Sequence, residues 1–180
     1  MNLILKKTWQ VVFYSLLISV VALIQASFIN NLPGWLQDIN LLLITLVFAL
    51  FFYDFRTAIA VALIGGFWSE IFSFNFFGFY LVVLFFTLIF TNWILRTWLT
   101  NRSLYSFLVL IFLATLFYNL VAALMLYWFS DASASFFVWR WPFWSVLAGQ
   151  VFWSELAGLF LFGLAASLTR RFKPFFLEKN

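Results

Sequence analysis

Six apolar runs, at about residues 8–29, 40–53, 57–74, 79–95, 104–129 and 143–168, take up nearly the whole chain, and only short polar breaks separate them. Crossing ~30 Å of hydrocarbon takes about 20 helical residues. In lipid every backbone N–H and C=O must be paired within the protein, which leaves helices as the form these runs can take. The balance of residues agrees: 66% are hydrophobic and 9% charged, against about 25% charged in a soluble domain. The surface of such a chain cannot be covered for water. The expected fold is therefore all-α: a polytopic integral membrane helix bundle with six transmembrane helices, forming a single membrane domain over residues 1–180.

Charge sets the expected orientation. The first run follows Lys6-Lys7 and is too long for the apolar part of a cleaved signal, so it reads as an uncleaved anchor. With the N-terminus inside, Lys6, Lys7, Arg56, Arg96, Arg102, Arg170, Arg171, Lys173 and Lys179 all fall on one side, and Arg140 alone falls outside with Asp38 and Asp131. That is the positive-inside pattern. Both termini are expected in the cytoplasm, and the net charge of +4 speaks for anionic lipid, not nucleic acid. Tryptophan follows the same frame. Trp9, Trp93 and Trp98 fall near the inner boundary, and Trp35, Trp128, Trp139, Trp141 and Trp144 near the outer one, where an apolar ring with a polar tip is favoured. Trp68 and Trp153 sit deeper and are expected between helices.

The second and third spans are short. Residues 39–53 give only ~22 Å of helix. The pair reads either as two crossings with Arg56 at the inner surface, or as a re-entrant pair that returns outside. Two crossings account for Arg56 by the charge rule alone. Pro33-Gly34 marks an outer turn. The stretch 130–142 is amphipathic and aromatic, so it is expected along the outer surface. The tail after residue 170 is expected on the inner surface.

Within the third span Ala58, Ala62, Gly66 and Glu70 are spaced four apart and form one vertical stripe on a helix. Small residues let another backbone approach closely in lipid. The stripe faces either a partner or the chain's own bundle. Glu70 either snorkels to the interface, caps the loop that follows, or receives a partner's polar group. Gly78 allows a tight turn beside it. Deeper in the membrane, Asn119, Gln150 and Glu155 are the polar residues to explain. Glu155, near the middle of span six, reads either as a ligand or proton site or as a structural hydrogen bond to another helix, with Asn119 as its partner. Asn92, Asn119 and Gln25 read as interhelical hydrogen-bonding groups.

The chain has no cysteine and no histidine, so disulfides, thiolate chemistry and histidine-based catalysis are excluded. It carries no GxxxxGK[ST], HExxH or GxSxG. No catalytic, cofactor-binding or metal-binding residue is assigned, and no cofactor is expected.

One order of features is specific enough to name. A basic start and a long span lead to Leu32-Pro33 and Asp38-Ile39-Asn40-Leu41-Leu42-Leu43. Gly65-Gly66-Phe67-Trp68-Ser69-Glu70-Ile71-Phe72-Ser73, Phe77-Gly78-Phe79-Tyr80 and Leu116-Phe117-Tyr118-Asn119 follow in turn. From Lys6 to about Arg171 this resembles the rod shape-determining MreD family. It departs from the family in having Glu70 where Asp is usual, Phe77 before Gly78, and Asn119 where Glu is usual; Glu155 has no counterpart. The resemblance implies a non-enzymatic scaffold of the bacterial cytoplasmic membrane. Its expected partner is an MreC-like bitopic protein, within the elongation machinery that directs lateral peptidoglycan synthesis. Ala58, Ala62, Gly66, Glu70 and Gly78 are the expected partner-binding residues. The alternative is a substrate-binding membrane subunit of an energy-coupling-factor vitamin transporter, which has the same number of helices and a similar size. Ala22 and Ala26 have the spacing of a coupling face but lie toward the outer end, and the outer loops are poor in polar residues.

Overall fold

A computed structural model describes residues 3–27, 39–73, 76–99, 103–129 and 141–169, with side chains described at 15–27, 39–73, 76–99, 103–129 and 144–164. All regular structure among them is helical: α1 (Leu3–Ser27), α2 (Leu41–Phe52), α3 (Phe55–Phe72), α4 (Phe79–Thr97), α5 (Leu104–Phe129) and α6 (Trp141–Thr169). Counting only residues with described side chains, four of these are long and apolar enough to cross a bilayer: α3, α4, α5 and α6. The first helix begins at Leu3 and takes in Lys6-Lys7, earlier than the hydrophobic run indicated. The sixth begins at Trp141, with Pro142 in its first turn, where the missing N–H costs nothing. The outer turn at Pro33-Gly34, the surface stretch before Trp141 and the tail after Thr169 lie outside the described residues.

The organising element is α2. It packs against every other helix, and Leu43, Ile44, Leu46 and Val47 have no exposed surface. Its sequence, LLLITLVFALFF, is apolar on nearly every face, as suits a helix buried on most of its surface, with Leu41, Thr45, Phe48 and Phe52 on the one half-buried face. At 12 residues it is only ~18 Å long, shorter than the hydrocarbon. Its ends are therefore satisfied by the chain. Asn40 Oδ1 accepts from the Leu43 N–H at 3.0 Å, an N-cap bond. At the other end the Tyr53 N–H donates to the Ala49 carbonyl at 3.0 Å.

Around this axis α1 packs on α3, α3 on α4, α4 on α5, and α5 on α6. The ring does not close, because α1 and α6 make no close backbone approach among the described residues. Phe51 and Phe107 centre an aromatic cluster, with ring centroids 5.1 Å apart. Phe162 of α6 lies 5.7 Å from both Phe52 and Phe107. Buried threonines satisfy their hydroxyls within their own helices: Thr87, Thr91 and Thr115 donate to the carbonyls of Val83, Thr87 and Ile111.

The α2–α3 turn lies beside the last turns of α4. Tyr53, Asp54 and Phe55 share a cavity with Asn92, Arg96 and Leu99. At the opposite end Phe76, in the α3–α4 turn, meets Phe129 at the close of α5, with centroids 5.1 Å apart. The α2–α3 hairpin thus runs the depth of α4.

Candidate functional site

The end of the bundle that carries the α3–α4 turn gathers the polar residues. Glu70, in the last turn of α3, is only 6% exposed. Its Oε1 accepts from the backbone N–H of Tyr80 at 2.5 Å and of Leu81 at 3.1 Å. These are orphan donors in the first turn of α4. A carboxylate there also meets the positive end of the helix, an effect worth about 0.3–1 kcal/mol and up to ~2 in buried geometry. Glu70 therefore does not snorkel; it ties the end of α3 to the start of α4. Its Oε2 has no hydrogen-bond partner.

The turn between them depends on Gly78, whose φ of 99° lies in the left-handed region that side chains with a Cβ disfavour. Nothing stands where a Cβ would go, so backbone conformation is what selects glycine. Gly66 is selected by space. A Cβ there would lie 2.9 Å from Leu81 Cδ2 and 3.1 Å from Leu81 Cα. Gly65 meets Leu42 of α2 in the same way.

These contacts decide which way the small-residue stripe faces. Ala58 and Ala62 are fully buried and Gly66 is buried too. The stripe seats α3 inside the chain, so in this conformation Ala58, Ala62 and Gly66 are not a free surface for a partner. The exposed side of α3 carries Leu63, Phe67 and Ile71 instead.

Beside Glu70 the helix ends border a half-open cavity of about 240 Å³. Gln25 of α1 and Asn40 at the start of α2 line one part of it. Gln25 clamps the two helices together: Nε2 donates to the Ile39 carbonyl at 2.9 Å, and Oε1 accepts from the Leu41 N–H at 2.7 Å. Ser69 and Ser73 of α3 line another wall, with their hydroxyls donating to the carbonyls of Gly65 and Glu70. Tyr80 of α4, Tyr118 of α5 and Gln150 of α6 complete it. Every helix or its cap thus contributes a polar group, and none of the lining residues carries a charge.

Gln150 is 8% exposed, and its Oε1 accepts from Asn119 Nδ2 at 2.8 Å. Asn119 gives its second N–H to the Thr115 carbonyl, also at 2.8 Å. The sequence pointed to Glu155 as the partner of Asn119; the partner is Gln150. The reason is position. Asn119 lies toward the cavity end of α5, level with Gln150, and Glu155 is more than a turn further along α6. Glu155 is half-buried and its Oε1 has no partner; the neighbouring Ser154 Oγ has none either. Gln25 bridges helices as expected. So does Trp68, whose Nε1 donates to Ser19 Oγ of α1 at 3.0 Å.

The arrangement has no nucleophile–base pair, and no group of three or more His, Cys, Asp or Glu occurs among the described residues. It offers neutral donors and acceptors in a half-polar hollow. Asn40, Ser69, Tyr80 and Tyr118 all stand in segments that carry the family resemblance, yet they were not read as one site. No periodic signal marks them: Tyr80 stands at the start of α4 while Tyr118 lies eleven residues from the end of α5, and only the packing of the helices brings them to one cavity. No family model, no curated protein and no solved structure matches this chain.

Proposed function

We propose that this chain is a non-enzymatic, six-span scaffold of the bacterial cytoplasmic membrane, acting in cell elongation beside an MreC-like bitopic partner. The observation that carries this is spatial. Asp38–Leu43, Gly65–Ser73, Phe77–Tyr80 and Leu116–Asn119, the segments behind the resemblance, are far apart in sequence. Residues from each of them, Asn40, Ser69, Tyr80 and Tyr118 among them, line one cavity beside the Glu70 tie. Both termini lie in the cytoplasm on the charge rule, so this end faces outward, where an extracytoplasmic partner begins. The surface offered there is the turn. Phe77 is 77% exposed, and Trp128 and Phe129 stand exposed nearby. The buried stripe and Glu70 act by holding that turn in place.

Co-purification with the MreC-like protein tests the proposal. Phe77→Ser reduces capture several-fold while the melting temperature holds, and Glu70→Ala reduces it together with order in the turn. Glu155→Gln leaves capture unchanged. Retained capture in both Phe77→Ser and Glu70→Ala sinks the proposal.

A second reading is favoured by the cavity itself. A vitamin-binding transporter subunit needs polar groups converging at its outer end, and here helix ends supply what the loops lack. A tightly held vitamin recovered from the purified protein would favour it.

A further inference from the structure

The half-polar cavity is neither a packing void nor explained by the scaffold reading. Empty cavities in proteins are apolar, and polar ones hold water or ligand. At about 240 Å³ this one matches the liquid volume of roughly eight waters.

Its walls differ in hydrogen-bonding sense. On the α3 side, Ser69 and Ser73 have already donated their protons to helix carbonyls, so their oxygens face the cavity as acceptors. On the opposite side, Gln150 is nine-tenths buried and its Oε1 is taken by Asn119. Its Nε2 makes no hydrogen bond among the described residues, leaving two N–H donors. Tyr118 also lines the cavity, its hydroxyl hydrogen-bonded to the Asn40 side chain. A group that donates to one wall and accepts from the other satisfies both, and a hydroxyl does so with a single atom. Phe72 adds a ring to the lining. Among the described residues the charged group beside it is the Glu70 carboxylate, bonded to the Tyr80 N–H, which disfavours an anion.

We infer that the cavity binds an uncharged polyhydroxylated group, a single sugar ring in size and chemistry, held between the Ser69/Ser73 oxygens and the Gln150 amide. The group has two sources: a soluble sugar entering from the outer surface, or a glycolipid headgroup entering from the membrane. Entry from lipid is offered between α1 and α6, whose Ala22, Ala26 and Val146 line the cavity and which make no close backbone approach among the described residues. The inference rests on the cavity alone and stands or falls apart from partner binding.

The test uses the full chain in lipid nanodiscs, prepared without sugar-headed detergents. Native mass spectrometry is run with monoglucosyldiacylglycerol in the nanodisc, and separately with free glucose at millimolar concentration. Retention of the glycolipid assigns the lipid source, and a glucose adduct assigns the soluble one. Ala26→Leu, which fills the cavity without touching a hydrogen bond, abolishes the adduct. The double variant Ser69→Ala/Ser73→Ala weakens it at least tenfold. Both keep the parental melting temperature. No adduct in either arm overturns the inference, as does an adduct that Ala26→Leu leaves in place.

Discussion

Glu70 and Gly78 show how few atoms hold the working end of this molecule. One carboxylate oxygen accepts from two backbone N–H groups of α4, and one glycine supplies the left-handed step before them. Removing the acceptor in Glu70→Ala strands those donors and costs about 0.5–2 kcal/mol, the range of a lost N-cap. Glu70→Gln keeps an acceptor and costs less. Amide hydrogen exchange at Tyr80 and Leu81 reads the difference: faster in Ala, near-parental in Gln. Gly78→Ala destabilises by about 1–2 kcal/mol, the cost of a Cβ in the left-handed region, seen as a lower melting temperature. Sequence reading singled out both residues, because an acid at the end of an apolar run and a glycine after it are visible in one dimension. It could not choose between snorkelling and capping, since that depends on where the first turn of α4 comes to rest. It missed Gln150 as the mate of Asn119 for a related reason: the residues are 31 apart in sequence, and only the register of α5 against α6 brings them level.

At the scale of elements, the apolar runs gave the helices and their order, with ends displaced by a few residues. Hydropathy reports where a helix meets lipid, and the helix ends are set by caps such as Asn40. What hydropathy could not give is the side each helix presents. The four-residue stripe on α3 is the same pattern whether it faces a partner or a neighbour, and here the neighbours are α2 and α4. Gly66→Leu therefore acts as an overpacking change inside the chain. It separates α3 from α4 and destabilises the fold by at least the roughly 1–3 kcal/mol typical of such insertions. Phe107→Ala removes the centre of the ring cluster shared by α2, α5 and α6 and costs about 3–5 kcal/mol. Reversible unfolding in mixed micelles measures both, and an unchanged midpoint in either would contradict the packing described.

For the whole molecule, the absence of cysteine makes sidedness directly measurable. Single cysteines at Arg56 and Phe77, both exposed and at opposite ends of α3, react with impermeant maleimide from opposite faces of the membrane if the hairpin crosses it. Labelling of both from one face establishes the re-entrant arrangement instead. The positive-inside pattern was legible without any structure, because it depends on charge and loop order alone. The central place of α2 was legible only in part: a run apolar on all sides announces burial without saying by what. That place has a consequence for synthesis. The helix made second finds α1 already beside it, but its other neighbours, α3 to α6, do not yet exist when it leaves the ribosome. Phe51 and Phe52 wait in lipid for Phe107 and Phe162. Made after the other five described helices, α6 brings Phe162 onto Phe52 and Phe107, so the ring cluster at the centre of the protein is completed after the helices that begin it.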